Sequence, residues 1–269
     1  MDIPPPLCQH PTDQFTRHGS RAVCGVCGSF WDLDSLRARV TYDASYPEHR
    51  GHFDPRIGAL KVRTLAHWVK TSGIELTGKT VCEVGFGGGA TLGYLADRAA
   101  HVIGLEINEA AIAHVRAQGI RAELLNVIPL PDLARQVDLW LFEDSFEHIP
   151  DPAAFMAWMD VHSAPHAEIL MVLPRGDSLS RKLMGRFWPH KLPDHEFHWS
   201  LRGLLSFLDR RGYQLVRRFF PLKFASPGMV AAHFLHKLGI GAEQQRKLTG
   251  ASFAIPINFG EQGLRLRRR

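Results

Sequence analysis

VCEVGFGGGA, residues 81–90, is an apolar run that breaks into four glycines within five positions. A turn of this kind lets the backbone come close to something small and nucleotide-like, because glycine adds no side chain and tolerates left-handed geometry. The stretch satisfies G-x-G-x-x-G/A through Gly85, Gly87 and Ala90. Glycine loops are common at strand-to-helix turns, so the pattern alone does not name a ligand.

The deciding residue is Glu83, two places before the first glycine. A dinucleotide would set its pyrophosphate here, and a neighbouring carboxylate would repel that charge. S-adenosylmethionine has no phosphate and carries an ammonium and a sulfonium, so an acid at the tip of this strand suits it and disfavours a dinucleotide oxidoreductase. Glu106, near the end of HVIGLEI, is a second acid, positioned to accept the ribose hydroxyls of either nucleotide. Ile107 is placed to pack on the adenine face, and Asn126 to hydrogen-bond its amino group.

Outward from the loop, short apolar runs alternate with amphipathic ones. TVCEV, HVIGLEI, RAELLNV, VDLWLF, AEILMVL and YQLVRRFF read as strands. ATLGYLADRA, EAAIAHVRAQ, DPAAFMAWMDVH and LRGLLSFLDRR read as helices, with Gly119 and Gly212 as helix stops. IGALKVRTLAHWVK supplies a further helix ahead of the first strand. Near-continuous apolar strands between helices predict a doubly wound, Rossmann-like α/β sheet covered on both faces. ASFAIPINF (251–259) is expected to add an antiparallel seventh strand. The division expected is 1–35 as a zinc-ribbon-like appendage and 36–75 as linker and helix. Residues 76–222 would form the cofactor-binding domain, and 223–269 a lid insertion, last strand and basic tail.

Glu83-x-Gly85-x-Gly87-x-Gly89, Glu106 and the EHIPDP segment resemble class I S-adenosylmethionine-dependent methyltransferases, over about residues 60–222. The resemblance implies a cofactor site of Glu83, Gly85, Phe86, Gly87, Glu106, Ile107, Asn126 and Glu143, although an aspartate is frequent where Asn126 stands. It implies methyl transfer to a hydroxyl or amine of a small-molecule acceptor, in secondary metabolism. An RNA methyltransferase is the alternative. The Asn/Asp-Pro-Pro-aromatic motif of many base N-methylators is absent, and EDSFEH (143–148) stands in its place.

EDSFEHIPDP (143–152) groups Asp144, Glu147 and His148 on the carboxyl edge of the sheet. Acid–base chemistry and a divalent metal are both open readings. So is a structural tie in which Asp151 and Pro152 start the next helix. The trio resembles a segment of ubiquinone-pathway O-methyltransferases that has been linked to a metal. The long stretch after the fifth strand, residues 173–200, is rich in His, Arg and Trp and reads as substrate-facing. Family members often carry a Trp, then a His before an aromatic-Ser pair, which here are Trp188, His195, Trp199 and Ser200. Ser200 also reads as a helix cap. Methyl transfer to a hydroxyl needs positioning and a base. His195 is the first choice, then His198 or His148.

In AVCGVCGSFWD (22–32), Cys24-x-x-Cys27 with a glycine after each cysteine reads as a zinc knuckle. Cys8 and His10 form the partner half, with His18 as the alternative fourth ligand. Comparable ribbons precede some small-molecule methyltransferases and one group of ribosomal-RNA methyltransferases. Cys82 reads as a small buried hydrophobe.

The composition fits these parts. The chain has 269 residues, 45% apolar, enough for one main domain. The formal charge is +5, part of it in LRLRRR (264–269), which permits an anionic partner without requiring one. MDIPPPLCQH lacks the basic start and apolar core of a signal peptide, so a cytoplasmic protein is expected. The segment 223–250 contains MVAAHFLHKL, a helix expected to lid the acceptor pocket.

Overall fold

A computed structural model describes residues 3–38, 53–238 and 253–269. Much of TYDASYPEHRGHFDP and the end of the 223–250 insertion lie outside these, as do the first two residues of ASFAIPINF.

The chain opens with an antiparallel meander of β1 (Phe15–His18), β2 (Arg21–Cys24) and β3 (Phe30–Asp32), followed by α1 (Leu33–Ala38). Helix α2 (Pro55–Ser72) starts where Asp54 accepts the Arg56 amide and Pro55 presets the first turn. It stops at Gly73, which takes the left-handed conformation. The alternating body follows as β4 (Thr80–Val84), α3 (Ala90–Ala96), β5 (His101–Glu106), α4 (Glu109–Ala117), β6 (Glu123–Asn126), β7 (Val137–Glu143), α5 (Pro152–His162) and β8 (Ser163–Pro174). The remainder is α6 (Leu179–Met184), β9 (Phe197–His198), α7 (Leu201–Arg210), β10 (Tyr213–Phe219), β11 (Lys223–Ala225), α8 (Pro227–Lys237), β12 (Ile255–Ile257) and β13 (Glu261–Arg268).

Seven strands form the main sheet in the order β10-β13-β8-β7-β4-β5-β6. Pairings from β8 through β6 are parallel, and β13 runs antiparallel to both β8 and β10. The expected doubly wound α/β sheet is present. One face packs Leu65, Trp68, Leu92, Val115 and Leu170, and the other Trp140, Phe142, Phe207 and Leu264.

The seventh strand differs from expectation. Among the described residues, none of ASFAIPINF enters the main sheet; its Ile255–Ile257 pairs with β11 in a two-stranded ribbon. The reversed strand is the arginine-rich segment read as a basic tail. Its Leu264 and Leu266 are buried, and the alternating Arg265 and Arg267 pair with a carboxylate. Glu168 of β8 takes Arg265 at 2.7 Å, Arg267 at 3.3 Å and Lys79 at 2.7 Å. Arg265 Nη1 also donates to the Gly73 carbonyl at 2.6 Å, and Arg269 pairs with Asp209.

The N-terminal meander is likewise built into the body. Strand β3 pairs with β9, setting Phe30 opposite His198 and Trp31 opposite Phe197. Ser200 Oγ donates to the Cys27 carbonyl at 2.6 Å and accepts the Gly203 amide at 2.9 Å, capping α7 as expected. Cys8, Phe15, Ala22 and Trp31 share a core cluster with Phe146, Trp199 and Phe207. No helix among the described residues is long and apolar enough to cross a membrane.

Burial raises the pKa of Glu168, but its bonds to Lys79 and Arg265 outweigh that and hold it below the ordinary glutamate value. The stabilisation is therefore present above the ordinary glutamate range and lost as pH falls through the lowered value. Glu168→Gln should cost about 1.5–3 kcal/mol in urea unfolding at neutral pH. The deficit should shrink under acid; an equal deficit at every pH would assign it to packing instead.

Candidate functional site

Strands β4 and β7 are neighbours whose following connections leave in opposite directions, and a crevice opens at their carboxyl ends. A cavity of about 750 Å³ lies there, bordered by the glycine loop, the ends of β5 and β7, α2, the 190–195 segment and β11. The loop is left-handed at Gly85, where a Cβ would sit 2.9 Å from that of Ser145. Gly85 and Gly87 line the cavity. Gly89 serves packing instead, since a side chain there would strike Val115 of α4.

Glu106 shapes this loop. Its Oε2 accepts the Gly87 amide at 2.8 Å, and its Oε1 accepts Ile107 and Asn108 amides at 2.8 and 3.1 Å. Both Glu106 and the half-exposed Ile107 face the cavity. Glu83 lies just behind the lining and is only 2% exposed. Thr91 Oγ1 donates to its Oε1 at 2.5 Å, while Oε2 is buried without a partner. Burial, reinforced by the charges of Glu143 and Glu106, pushes its pKa up to about 8 against the opposing effects of Thr91 and Lys61. Glu143 borders the cavity beside Lys61 and is also raised, chiefly by burial.

Two of the expected cofactor residues are turned elsewhere. The Phe86 ring is 3% exposed and packs on Gly104 in the core, which leaves only its backbone near the loop. Asn126 is not part of the lining. Its amide nitrogen donates to Glu109 and its Oδ1 accepts the Ile128 amide at 2.8 Å, so Val127 and Ile128 form that wall instead.

The histidines are brought together by two segments distant in sequence. His148 follows β7, and His190 and His195 come from the long stretch before β9; all three line the cavity. The His148 and His195 rings meet edge-on at 4.7 Å between centroids. His195 is fully enclosed, and its Nδ1 lacks a hydrogen-bond partner. Burial, with the neighbouring His148, holds its pKa well below the usual histidine value. His198 departs from expectation as a catalytic candidate. Pairing of β9 with β3 stacks its ring on Phe30 at 4.7 Å, and it borders a second cleft rather than the cavity.

The acidic trio is also split. Asp144 pairs with Lys223, while Glu147 lies with His148 and His195, their ligand-type atoms all within 4.8 Å of one another. Neither Glu147 oxygen has a hydrogen-bond partner, and burial holds its pKa well above the ordinary value. Lys223 further reaches Glu261 Oε1 at 3.2 Å, and His190 Nε2 lies 2.9 Å from the same atom. Lys61, His190, Lys223 and Glu261 were not singled out from sequence. Lys223 opens β11 and Glu261 opens β13, so only the placement of those strands reveals them.

At the N-terminus, Cys8, His10, Cys24 and Cys27 lie with their ligand atoms within 4.8 Å of one another. His10 Nδ1 is 3.3 Å from Cys24 Sγ, whereas His18, the alternative, does not join the group. Three thiols and an imidazole are a donor set suited to zinc, with all four positions filled by protein.

Comparison with known proteins places residues 57–218 in a family described as "Methyltransferase domain". The chain is 33% identical over 135 residues to a ubiquinone biosynthesis O-methyltransferase of Acinetobacter baumannii, covering 46% of this chain and 55% of the relative. It is 39% identical over 142 residues to a protein of Mycolicibacterium smegmatis named "Probable S-adenosylmethionine-dependent methyltransferase", covering 51% and 53%. The alignments thus span about half the length of these curated relatives. Magnesium protoporphyrin IX methyltransferase from Synechocystis, solved with bound SAH, shares the fold at TM-score 0.51 and 15% identity, covering 88% of this chain and 94% of that one.

Raising the folded-state pKa of Glu83 favours its protonated form, so its contribution to stability is greatest below the ordinary glutamate value and is lost as pH rises through about 8. Glu83→Gln should therefore melt at a higher temperature than the parent at about pH 9 and at nearly the same temperature below about pH 4. A constant difference across that interval would show that Glu83 is not the titrating group.

Proposed function

The chain belongs to the methyltransferase-domain family, and from that premise we propose that it transfers a methyl group from S-adenosylmethionine to a hydroxyl or amine of a small-molecule acceptor. The observation that carries this reading is the unpartnered Glu83 Oε2, buried beside Glu106 and Glu143 behind the glycine loop. An acid-rich cradle with a vacant acceptor atom fits a cationic ligand and would oppose a pyrophosphate. When bound, the cofactor supplies a methyl group activated by its sulfonium.

The chain's own residues do the rest. Gly85 and Gly87 keep the loop clear of side chains at the cavity wall. Glu106 retains lone pairs beyond its three amide bonds, with which it would accept the ribose hydroxyls. Ile107 offers an apolar surface for the base. Glu143, on the lining, would meet the ammonium, and Glu83 behind it would add its charge once ionised. Ile57, Leu60, Leu130, Ile149 and Met229 give the cavity apolar walls, with His148, His195 and Lys223 also on its lining, so an acceptor with an apolar body and one polar end suits it. Met229 comes from α8, consistent with that helix closing over the acceptor.

His195 would take the proton of an acceptor hydroxyl as the oxygen bonds to the methyl carbon and the thioether leaves. Its depressed pKa keeps it neutral, in the proton-accepting form, throughout the physiological range. The C-terminal arginines are engaged within the sheet and the N-terminal meander is packed on the body, which favours a small acceptor over a docked RNA. The cluster Cys8, His10, Cys24 and Cys27 would hold a structural zinc that fixes the meander against β9.

Isothermal titration should show binding of S-adenosylmethionine and its demethylated product; tight NAD binding with neither would sink the reading. His195→Ala should lower kcat by about a hundredfold with cofactor affinity retained. In the parent, kcat should stay level as pH falls through the ordinary histidine range, because His195 is already neutral there. Transfer at the parental rate in His195→Ala would assign the proton elsewhere. Elemental analysis should find one equivalent of zinc, lost in Cys24→Ser; full retention in that variant would remove Cys24 from the ligand set.

A further inference from the structure

A second cleft of about 370 Å³ lies where the N-terminal meander meets α6 and the segment that follows it. Its walls carry five cationic side chains: Arg21 from β2, Arg181 and Lys182 from α6, Arg186, and Lys191. The only carboxylate among its lining residues, Asp32, is already committed. It accepts the amides of Asp34 and Ser35 at 3.0 and 3.4 Å and lies 3.9 Å from Lys191 Nζ. Among the described residues, no carboxylate forms an ion pair with Arg21, Arg181, Lys182 or Arg186. Asp177, the acid nearest to Arg181 in sequence, is held by Arg175 at 2.7 Å.

The arginines are also positioned. The guanidinium carbons of Arg21 and Arg181 lie 5.6 and 5.1 Å from the centroid of Phe30, and His198 stacks on the same ring. Arg181 Nε is buried with no hydrogen-bond partner. A buried guanidinium donor left unsatisfied costs free energy. Two like charges held around one ring, neither of them in an ion pair among the described residues, repel, and an anion there would relieve that repulsion.

We infer that this cleft is a binding site for a phosphate group, gripped by Arg21 and Arg181 with Lys182, Arg186 and Lys191 around it. A dianion with several terminal oxygens matches two guanidinium forks and nearby ammonium groups better than a single carboxylate does. The enclosed volume is at the small end of small-molecule sites, which fits a phosphate or a compact phosphomonoester. Trp188 and His198 give the remaining wall an aromatic surface for an organic portion. The site is distinct from the large cavity, although His190, Leu192, Asp194 and His195 of the same segment line that cavity. Neither inference requires the other.

The test is titration of the full chain with inorganic phosphate and, separately, with phenyl phosphate, at fixed ionic strength in chloride and without any methyl donor. Saturable binding is expected, weakened about tenfold or more by Arg181→Gln. Lys182→Gln changes an exposed side chain and should weaken it about threefold, which keeps the test decisive if Arg181→Gln folds poorly. Equal affinity for the two probes would identify free phosphate as the ligand, and tighter binding of the ester a phosphorylated organic compound; both support the site. Binding of neither probe, or affinities unchanged in Lys182→Gln and in folded Arg181→Gln, would overturn it.

Discussion

A strand rich in arginine lies inside the main sheet, and much else depends on how its charge is met. Strand β13 separates β8 from β10, so without it the sheet would end at β8. Its leucines alone would not hold it there, because the largely buried Arg265 must be paired, and Arg267 adds a second charge beside it. Glu168, 5% exposed, answers both and Lys79 as well. At the other end of the strand the polarity is reversed. Glu261 of β13 meets Lys223, and Lys223 meets Asp144, so the strand's first residue is wired into the wall of the cavity.

That wiring arranges the chemistry. Glu261 is held below the ordinary glutamate value: burial raises it, but the Lys223 charge and His190 prevail. An ionised acid here orients both Lys223 and His190, and by engaging Asp144 the lysine leaves Glu147 to the His148–His195 pair. Strand pairing makes a second separation. Because β9 joins β3, His198 is drawn toward Phe30 while His195, three residues earlier, stays on the cavity wall. Residues close in sequence thus serve two different clefts.

The parallel core was legible because both faces of those strands are covered, so TVCEV and VDLWLF show near-continuous apolar runs, broken only by Thr80, Glu83 and Asp138. The Asp151–Pro152 helix start and the Ser200 cap were legible for local reasons, since a cap is read from the few residues around it. The true seventh strand was obscured because its arginines look like a solvated tail unless Glu168 is known to face them. The apolar run of ASFAIPINF was the more obvious strand, yet part of it pairs only with β11. In the site, Glu83, Gly85, Gly87 and Glu106 lie within one turn and its neighbouring strand, and their signal is local. His190, Lys223 and Glu261 converge from distant segments, and no spacing rule joins them. Asn126 and Phe86 had the right positions along the chain; their side-chain directions were set by Glu109 and Gly104.

The central placement of β13 also bears on the order of assembly. Strand β8 is made well before β13, and β10 lies between them in sequence. During synthesis β8 therefore presents an unpaired edge, and β10 has no neighbour in the sheet, until residues 261–268 emerge. Contacts so remote in sequence form slowly and leave strand edges open to intermolecular pairing in the meantime. The nascent chain should therefore be most prone to aggregate just before β13 pairs with β8 and β10, and chaperones that shield exposed edges should matter most in that interval.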